Sequence, residues 1–343
     1  MIAVVTGSTG FIGSHLVDAL LANGATVRAL HRAESKGREH DPRVASFEAD
    51  LLDDHSVRES RVWRGATHVF HLAGATKART SAQFRAANVV PTANILAALA
   101  AQTGTPPRTV LVSSQAAAGP ATESDAPVRE SDTPSPIEAY GRSKLQAEQA
   151  VARFANQLPI TIVRPAAVYG PRDRDLLKAF RQATHTLAFH AAPRDQAFSI
   201  VHVADVVRAL LLAGDVPAAN GRAYFIANEQ PTTWRDLYAA VATIAGTHPI
   251  QLQVPLSALR VGARVADVLG VLTGRTGLLN RNKVALARPR WWLCDASRAR
   301  GELGWNPRID LHEGLRETYL WYVAEGWLRS KDTATAPAQE HTE

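Results

Sequence analysis

A glycine-rich turn near the start of the chain constrains the fold more than any other feature. Gly7, Gly10 and Gly13 follow the apolar run Ile2–Thr6 and open a helical pattern, Ile12–Ala22. Glycines at this spacing allow a tight turn, a close approach of the backbone to a pyrophosphate and close packing of the helix on the strand. The helix N-terminus also directs N–H groups and partial positive charge toward the anion. The spacing therefore predicts a dinucleotide-binding turn.

Short apolar runs alternate with longer helical patterns as far as Pro165. The predicted strands are Ile2–Thr6, Thr26–Leu30, His68–Leu72, Thr109–Ser113 and Ile160–Val163, and the predicted helices are Ile12–Ala22, Val89–Gln102 and Tyr140–Leu158. Strands that alternate with helices predict a parallel sheet with helices on both faces. The predicted fold class is therefore α/β, a Rossmann doubly wound parallel sheet. Such folds bind their ligands at the carboxyl ends of the strands.

The rhythm changes after Pro171. Ser199–Ala213 predicts another strand and helix, and Gly221–Ala227 predicts a strand. Val254–Gly274 is apolar with interspersed arginines, which favours a core-packed helix over the wall of a lipophilic pocket or a membrane contact. Residues 331–343 carry little apolar content and are predicted to form a disordered tail.

Charge and cysteine content exclude several classes of protein. The chain of 343 residues has a net charge of +6, but its basic residues are scattered, which argues against a nucleic-acid partner. Cys294 is the only cysteine, so no internal disulfide can form, and no metal is predicted because no Cys/His cluster has zinc spacing. No signal peptide and no apolar stretch of membrane-spanning length is evident. We expect a cytoplasmic protein that acts on a small-molecule substrate.

The segment after the second predicted strand distinguishes NADP from NAD. It carries Leu30-His31-Arg32, with Lys36 and Arg38 close behind, and no acidic residue stands where a carboxylate would bind the ribose 2′-hydroxyl. Arginine at this place pairs with a 2′-phosphate, so NADP is the preferred cofactor and NAD the alternative. Arg32 is the predicted contact, the other interpretation being a solvated loop residue. Further predicted cofactor contacts are Gly7, Thr9, Gly10, Phe11 and Ile12 in the turn, Asp50 and Leu51 at the adenine, and Leu72, Ala73 and Gly74 after the strand that begins at His68.

Tyr140 and Lys144 stand at the start of a predicted helix. A spacing of four places them on one helical face, one turn apart. Tyrosine has a pKa near ~10, and a nearby ammonium lowers it. Tyr140 can then exchange a proton with a carbinol while a hydride moves to or from nicotinamide, and Lys144 can also hold the nicotinamide ribose. Ser114, with Ser113 as the alternative, ends the fifth strand and is predicted to hydrogen-bond the substrate oxygen, although either serine also suits a turn cap.

These residues together resemble the extended short-chain dehydrogenases/reductases. The resemblance also includes Asn88–Thr92, Arg164–Pro171, Val201–Val206 and Asp295–Pro307. It implies a Rossmann domain of residues 1–171 with a return segment 198–215, and a smaller, interleaved C-terminal substrate-binding domain of 172–197 and 216–330. It implies cofactor contacts at Ser113, Tyr140, Lys144, Pro165 and Val168, and structural roles for His202 and Asp205. Pro91 and Ala116–Ala118 depart from the family's usual residues.

Three functional hypotheses stay open. The first is a reductase or dehydrogenase of a small, lipophilic ketone or secondary alcohol, similar to dihydroflavonol reductases and 3β-hydroxysteroid dehydrogenases, which the segment 278–284 also resembles. The second is an NAD-dependent sugar-nucleotide epimerase or dehydratase, which typically carries the acidic residue that this chain lacks after its second strand. The third is a non-catalytic cofactor sensor, against which Ser114, Tyr140 and Lys144 argue. The resemblance also implies a homodimer through helices 89–102 and 140–158.

Overall fold

The architecture is that of a computed structural model, which describes residues 1–32, 41–190, 193, 195–254, 258 and 285–329. The strands are β1 (Ile2–Thr6), β2 (Thr26–His31), β3 (Ala45–Glu48), β4 (His68–His71), β5 (Arg108–Val112), β6 (Ile160–Pro165), β7 (Ala167–Tyr169), β8 (Leu187–His190), β9 (Ala197–Phe198), β10 (Ile200–His202), β11 (Ala223–Ile226), β12 (Thr232–Thr233), β13 (Ile250–Gln253) and β14 (Trp291–Trp292). The helices are α1 (Phe11–Ala22), α2 (Asp54–Glu59), α3 (Ser81–Asn88), α4 (Val90–Ala100), α5 (Ala139–Val151), α6 (Leu177–Thr184), α7 (Val203–Asp215), α8 (Trp234–Ala245), α9 (Ser297–Leu303) and α10 (Leu311–Ala324).

Seven strands form one parallel sheet in the order β3-β2-β1-β4-β5-β6-β11. The chain builds outward from β1 in both directions, which is the doubly wound arrangement, so the predicted fold class is confirmed. Because all seven strands run the same way, the segments that follow β1, β4 and β5 meet at one edge of the sheet. The predicted cofactor and catalytic motifs lie in those segments.

Helices cover both faces of the sheet. Val5 of β1 packs in one core with Leu16 of α1 and Leu210 of α7, whereas its neighbour Val4 packs in a second core with Ile95 of α4. Side chains alternate between the two faces along a strand, so these neighbouring valines belong to opposite cores. The two cores fix the position of β1 and therefore of the glycine turn that follows it.

The later part of the chain returns to this sheet in a way that differs from the sequence-based division. The stretch Ala223–Ile226, assigned above to the substrate domain, is β11 and pairs in parallel with β6 at the sheet edge. The side chains of Tyr224, Phe225 and Ile226 are fully buried in the first core, which explains why this strand joins the sheet. In the return segment 198–215, α7 packs on α1, β5 and β6. Strand β10, however, pairs with β7 in a separate two-stranded sheet.

A third core lies among the later helices. Phe180 of α6, Leu237 of α8 and Tyr322 of α10 are among its fully buried members. Two small sheets accompany these helices, one of β12, β9 and β14 and one of β13 and β8. That this third core and its sheets form a substrate-binding domain stays a prediction.

Several predictions concern residues outside the described ranges. These are Lys36 and Arg38, most of the stretch 254–274, the segment 278–284 and the tail 331–343. Among the residues that are described, no helix combines the length and apolar character that crossing a bilayer requires.

Candidate active site

The glycine turn is held too tightly for larger residues. Gly7 has a φ of +70°, and a Cβ at this position would lie 2.8 Å from the backbone nitrogen of Ala73. A Cβ at Gly13 would lie 2.1 Å from the Gly7 carbonyl oxygen. The first conflict is with the segment after β4 and the second is between α1 and its own turn, so glycine is required at both places. Gly10 precedes α1 and has no side chain with which to cap it.

The segment after β4 lies directly beside this turn. The Ala73 amide donates to Oγ1 of Thr6 at 3.1 Å, which ties the end of β1 to that segment. A Cβ at Gly74 would lie 2.7 Å from Oδ1 of Asn88 and 3.5 Å from Nζ of Lys144. Three predicted cofactor contacts, Leu72, Ala73 and Gly74, therefore lie between the glycine turn and Lys144. Thr9, Phe11 and Ile12 are all partly buried in or just after the turn.

The residues predicted to contact the adenosine differ in their exposure. Arg32 is exposed immediately after β2. The Asp50 carboxylate accepts a hydrogen bond from the Leu52 amide at 2.9 Å, so it caps its own loop. Leu51 is buried in the second core, and little of its side chain is left to pack on an adenine ring.

The start of α5 positions Tyr140. Glu138 caps this helix, its carboxylate accepting from the amides of Tyr140 at 2.6 Å and Gly141 at 2.5 Å. A Cβ at Gly141 would lie 2.2 Å from the Ala116 carbonyl oxygen, so the helix start packs directly on the turn that follows Ser114. The Ser114 side chain lies close enough to the Tyr140 hydroxyl to favour the ionised form of the tyrosine. Ser114 also accepts from the Ala116 amide at 3.2 Å, so it is both a turn cap and a partner of Tyr140.

The pKa of Tyr140 corrects one expectation. Burial, with the charges of Glu138 and Asp175, raises the pKa of Tyr140 to about 12, although the Ser114 side chain lowers it. We expected the Lys144 ammonium to lower this pKa. Instead, Nζ of Lys144 donates to the Val112 carbonyl at 2.9 Å, and burial lowers the pKa of Lys144 to about 8. The raised pKa keeps the Tyr140 hydroxyl protonated at neutral pH.

Ser113 and Ser114 have different partners. The Ser113 hydroxyl donates to Oε1 of Glu148, whose carboxylate accepts two hydrogen bonds from Arg164, at 2.9 and 2.6 Å. All three residues are buried. This network links the end of β5 to α5 and β6, and its bond to Glu148 engages the Ser113 hydroxyl. The geometry therefore favours Ser114 over Ser113 as the contact of the substrate oxygen.

Asn88 and His71 position the site although sequence reasoning gave them no role of their own. Asn88 accepts from the Ala75 amide at 2.8 Å and donates to Oγ of Ser143 at 2.8 Å, which links the segment after β4 to α5. His71 lies between the hydroxyls of Thr6 and Thr92, at 2.7 and 3.0 Å. Burial, together with the Lys144 charge, lowers the pKa of His71 to about 3, so this buried imidazole is neutral. From the sequence, Asn88 could be noted only as part of the motif Asn88–Thr92, which gave it no role of its own.

The remaining family motifs organise the junction with the third core. Pro165 is buried at the end of β6, and Val168 is half-buried in β7. Asp205 is fully buried and accepts from the amides of Arg308 and Ile309, at 3.0 and 3.1 Å. His202 caps α7 by accepting from the Ala204 amide. These contacts agree with the structural roles implied for Asp205 and His202.

Comparisons with known proteins agree with this geometry. A family model described as the NAD dependent epimerase/dehydratase family matches residues 3–227. The chain belongs to this family. Ceramide reductase of Caulobacter vibrioides is 28% identical over 95% of this chain and 96% of its own. A farnesyl-dihydroquinoline-oxide ketoreductase of Stigmatella aurantiaca is 29% identical over 91% of this chain and 93% of its own. The structure of MoeE5 in complex with UDP-glucose and NAD has a TM-score of 0.75 at 26% identity, covering 95% of this chain and 99% of that one.

Family membership identifies the chain as an enzyme. It is an NAD(P)-dependent oxidoreductase with the architecture of the extended short-chain dehydrogenases/reductases.

Proposed function

We propose that the enzyme prefers NADP and interconverts a lipophilic ketone and its secondary alcohol, with Tyr140 as the general acid and base. The observation that carries the proposal is the convergence of Ser114, Tyr140 and Lys144 beside the glycine turn, at the carboxyl edge of the sheet. A positioned donor and a neighbouring hydroxyl are what the reduction of a carbonyl group requires.

The chain offers a fitting place for a dinucleotide. The start of α1 follows Gly7 and Gly10, carries no acidic residue in its first turn and has no side-chain cap, so its amide groups suit a pyrophosphate. Arg32 would pair with a 2′-phosphate, and Lys144 would hold the nicotinamide ribose. When bound, the nicotinamide supplies or accepts the hydride.

Tyr140 would supply the proton that the reduction of a carbonyl group requires. Because its pKa is raised to about 12, Tyr140 carries its proton at neutral pH and can donate it to a carbonyl oxygen as that oxygen becomes an alkoxide. Ser114, whose side chain interacts with Tyr140, would orient the same oxygen. In the reverse direction Tyr140 must first lose its proton, and the positive charge of an oxidised nicotinamide would favour that loss.

The substrate class rests on two observations. Ceramide reductase and the farnesyl-quinoline ketoreductase are named for the reduction of lipophilic compounds. The end of β2 carries Arg32 rather than an acidic residue, which favours a reductase that uses NADP. A sugar-nucleotide epimerase is the second candidate, since MoeE5 was solved with UDP-glucose and NAD. We also propose a cytoplasmic homodimer that pairs through α4 and α5.

A paired titration tests the cofactor assignment. Purified protein is titrated with NADPH and with NADH while nicotinamide fluorescence is followed, and the titrations are repeated with Arg32→Ala. Hydrogen bonds to charged groups contribute about 1.5–3 kcal/mol, so NADPH should bind about 10- to 100-fold more tightly than NADH, and Arg32→Ala should remove that difference. Arg58→Ala, on the exposed helix α2, is the matched control and should retain it. Equal binding of both cofactors by the unmodified protein, or tightly held NAD, would refute the role of Arg32 and make sugar nucleotides the first substrates to test.

A further inference from the structure

Strands β8 and β13 present an apolar surface to solvent. They pair in parallel, with Leu187 opposite Ile250 and Phe189 opposite Leu252. Residues two apart on a strand share a face, as do residues directly opposite each other, so these four side chains lie on one face of the two-stranded sheet. They are 43%, 60%, 49% and 41% exposed, in the order named, whereas Ala188 on the other face is fully buried. Single exposed apolar residues are common, but a contiguous group marks an interaction site.

A basic cavity adjoins this apolar face. It measures about 380 Å³ and lies between α6, the residues before β8 and the end of α10. Arg181, His185, Thr247, Trp327 and Arg329 are among its lining residues. Among the described residues that line it, none is acidic. His185 comes two residues before Leu187, so the cavity and the apolar face are consecutive along the chain.

The helix that leads into β8 is basic as well. The charged residues of α6 are Lys178 and Arg181, and no acidic residue lies between them and β8. Positive charge beside a flat apolar face is the composition of protein surfaces that lie in the interfacial region of anionic membranes. Two copies of this chain would bring like charges together if they paired through this face, which disfavours a second copy as its occupant.

We propose that the β8–β13 face and the adjoining basic cavity form a docking surface for an anionic phospholipid bilayer. Leu187, Phe189, Ile250 and Leu252 would contact the acyl chains, and the arginines of the cavity would bind lipid phosphate. Binding of this kind is peripheral and reversible. It would bring the enzyme to a membrane without any helix that crosses it.

Vesicle co-sedimentation of the full chain tests the proposal. Vesicles of phosphatidylcholine are compared with vesicles that contain phosphatidylglycerol as well, at low and at high salt. We expect binding to the anionic vesicles, with loss at high salt because ions screen the surface charge. A Phe189→Ser/Leu252→Ser double variant should bind at least tenfold more weakly, and Arg181→Ala about fivefold more weakly, the factor that one cation near an anionic surface contributes.

The control is Leu320→Ser, which changes an equally exposed leucine on α10, 53% exposed, outside the proposed surface. It should bind vesicles as the unmodified protein does. Thermal unfolding of each variant verifies that the fold is retained. The proposal is overturned if the unmodified protein does not bind anionic vesicles or if the double variant binds equally well. It is also overturned if the double variant loses self-association, measured by light scattering, rather than vesicle binding.

Discussion

Gly141→Ala should disable the catalytic site without disturbing the glycine turn. The new Cβ would lie 2.2 Å from the Ala116 carbonyl oxygen, whereas a carbon and a carbonyl oxygen in contact are about 3.3 Å apart. The helix start and the turn after Ser114 must therefore separate by about 1 Å, and Tyr140 moves with the helix. A displacement of that size in a reacting group costs about 100-fold in rate. The glycine turn that would hold the dinucleotide lies elsewhere and should be unchanged.

The assay combines three measurements. Initial rates of NADPH oxidation with a lipophilic ketone should fall about 100-fold in kcat/KM, while fluorescence titration should show a much smaller change in the Kd for NADPH, because the glycine turn stays in place. Thermal or urea unfolding should show a loss of about 1–3 kcal/mol, typical of overpacking. Gly301→Ala, in α9, is the matched control, because a Cβ there meets nothing within 4 Å and its activity should be unaffected. Full activity of Gly141→Ala would refute the contact between α5 and the Ser114 turn as the feature that places Tyr140.

Two further predictions concern buried charge. Glu148→Gln should lower the free energy of unfolding by about 3 kcal/mol in urea titrations, because the buried Arg164 guanidinium loses its counter-charge. The control Asp54→Asn removes a charge from an exposed ion pair and should lower it by less than about 1 kcal/mol. An equal loss in both variants would contradict the importance of burial for the Glu148–Arg164 pair. Burial lowers the pKa of Lys144 to about 8, so the rate of ketone reduction should decline as the pH rises through 8. The arginine of Lys144→Arg stays charged, so the residual activity of this variant should not decline in that pH range. If the variant and the unmodified enzyme have the same pH profile, the decline does not come from Lys144.

The local patterns of the sequence were sufficient to predict the glycine turn, α1, α4 and the start of α5, but α5 ends at Val151 and not at the predicted Leu158. Each depends on neighbours within a few residues: glycine spacing, helical periodicity and the interval from Tyr140 to Lys144. Strand β3 was not predicted because three of its four residues are exposed, so it has no apolar run. The pairing of β8 with β13 was not predicted for a different reason. Each strand is short, and the two strands lie far apart along the chain.

The sequence indicated which residues belong to the candidate site, but it did not indicate which of them contact each other. Ser113 and Ser114 are equivalent by position, and only the location of Glu148 in space shows that Ser113 belongs to a buried network. The pKa of Tyr140 depends on burial and on the nearby carboxylates, neither of which a spacing of four residues reveals. Glu138 could have been recognised as a cap from its position two residues before Tyr140, although glutamate is not a preferred residue there.

Tyr140→Phe tests the central claim most directly. The substitution removes only the hydroxyl, so the glycine turn, Lys144 and the cap by Glu138 should be preserved. We predict an unchanged Kd for NADPH and a fall of about 100- to 10,000-fold in the rate of ketone reduction, the usual contribution of a general acid. If the variant reduces the ketone as fast as the unmodified enzyme, Tyr140 is not the proton donor and the proposed mechanism is wrong.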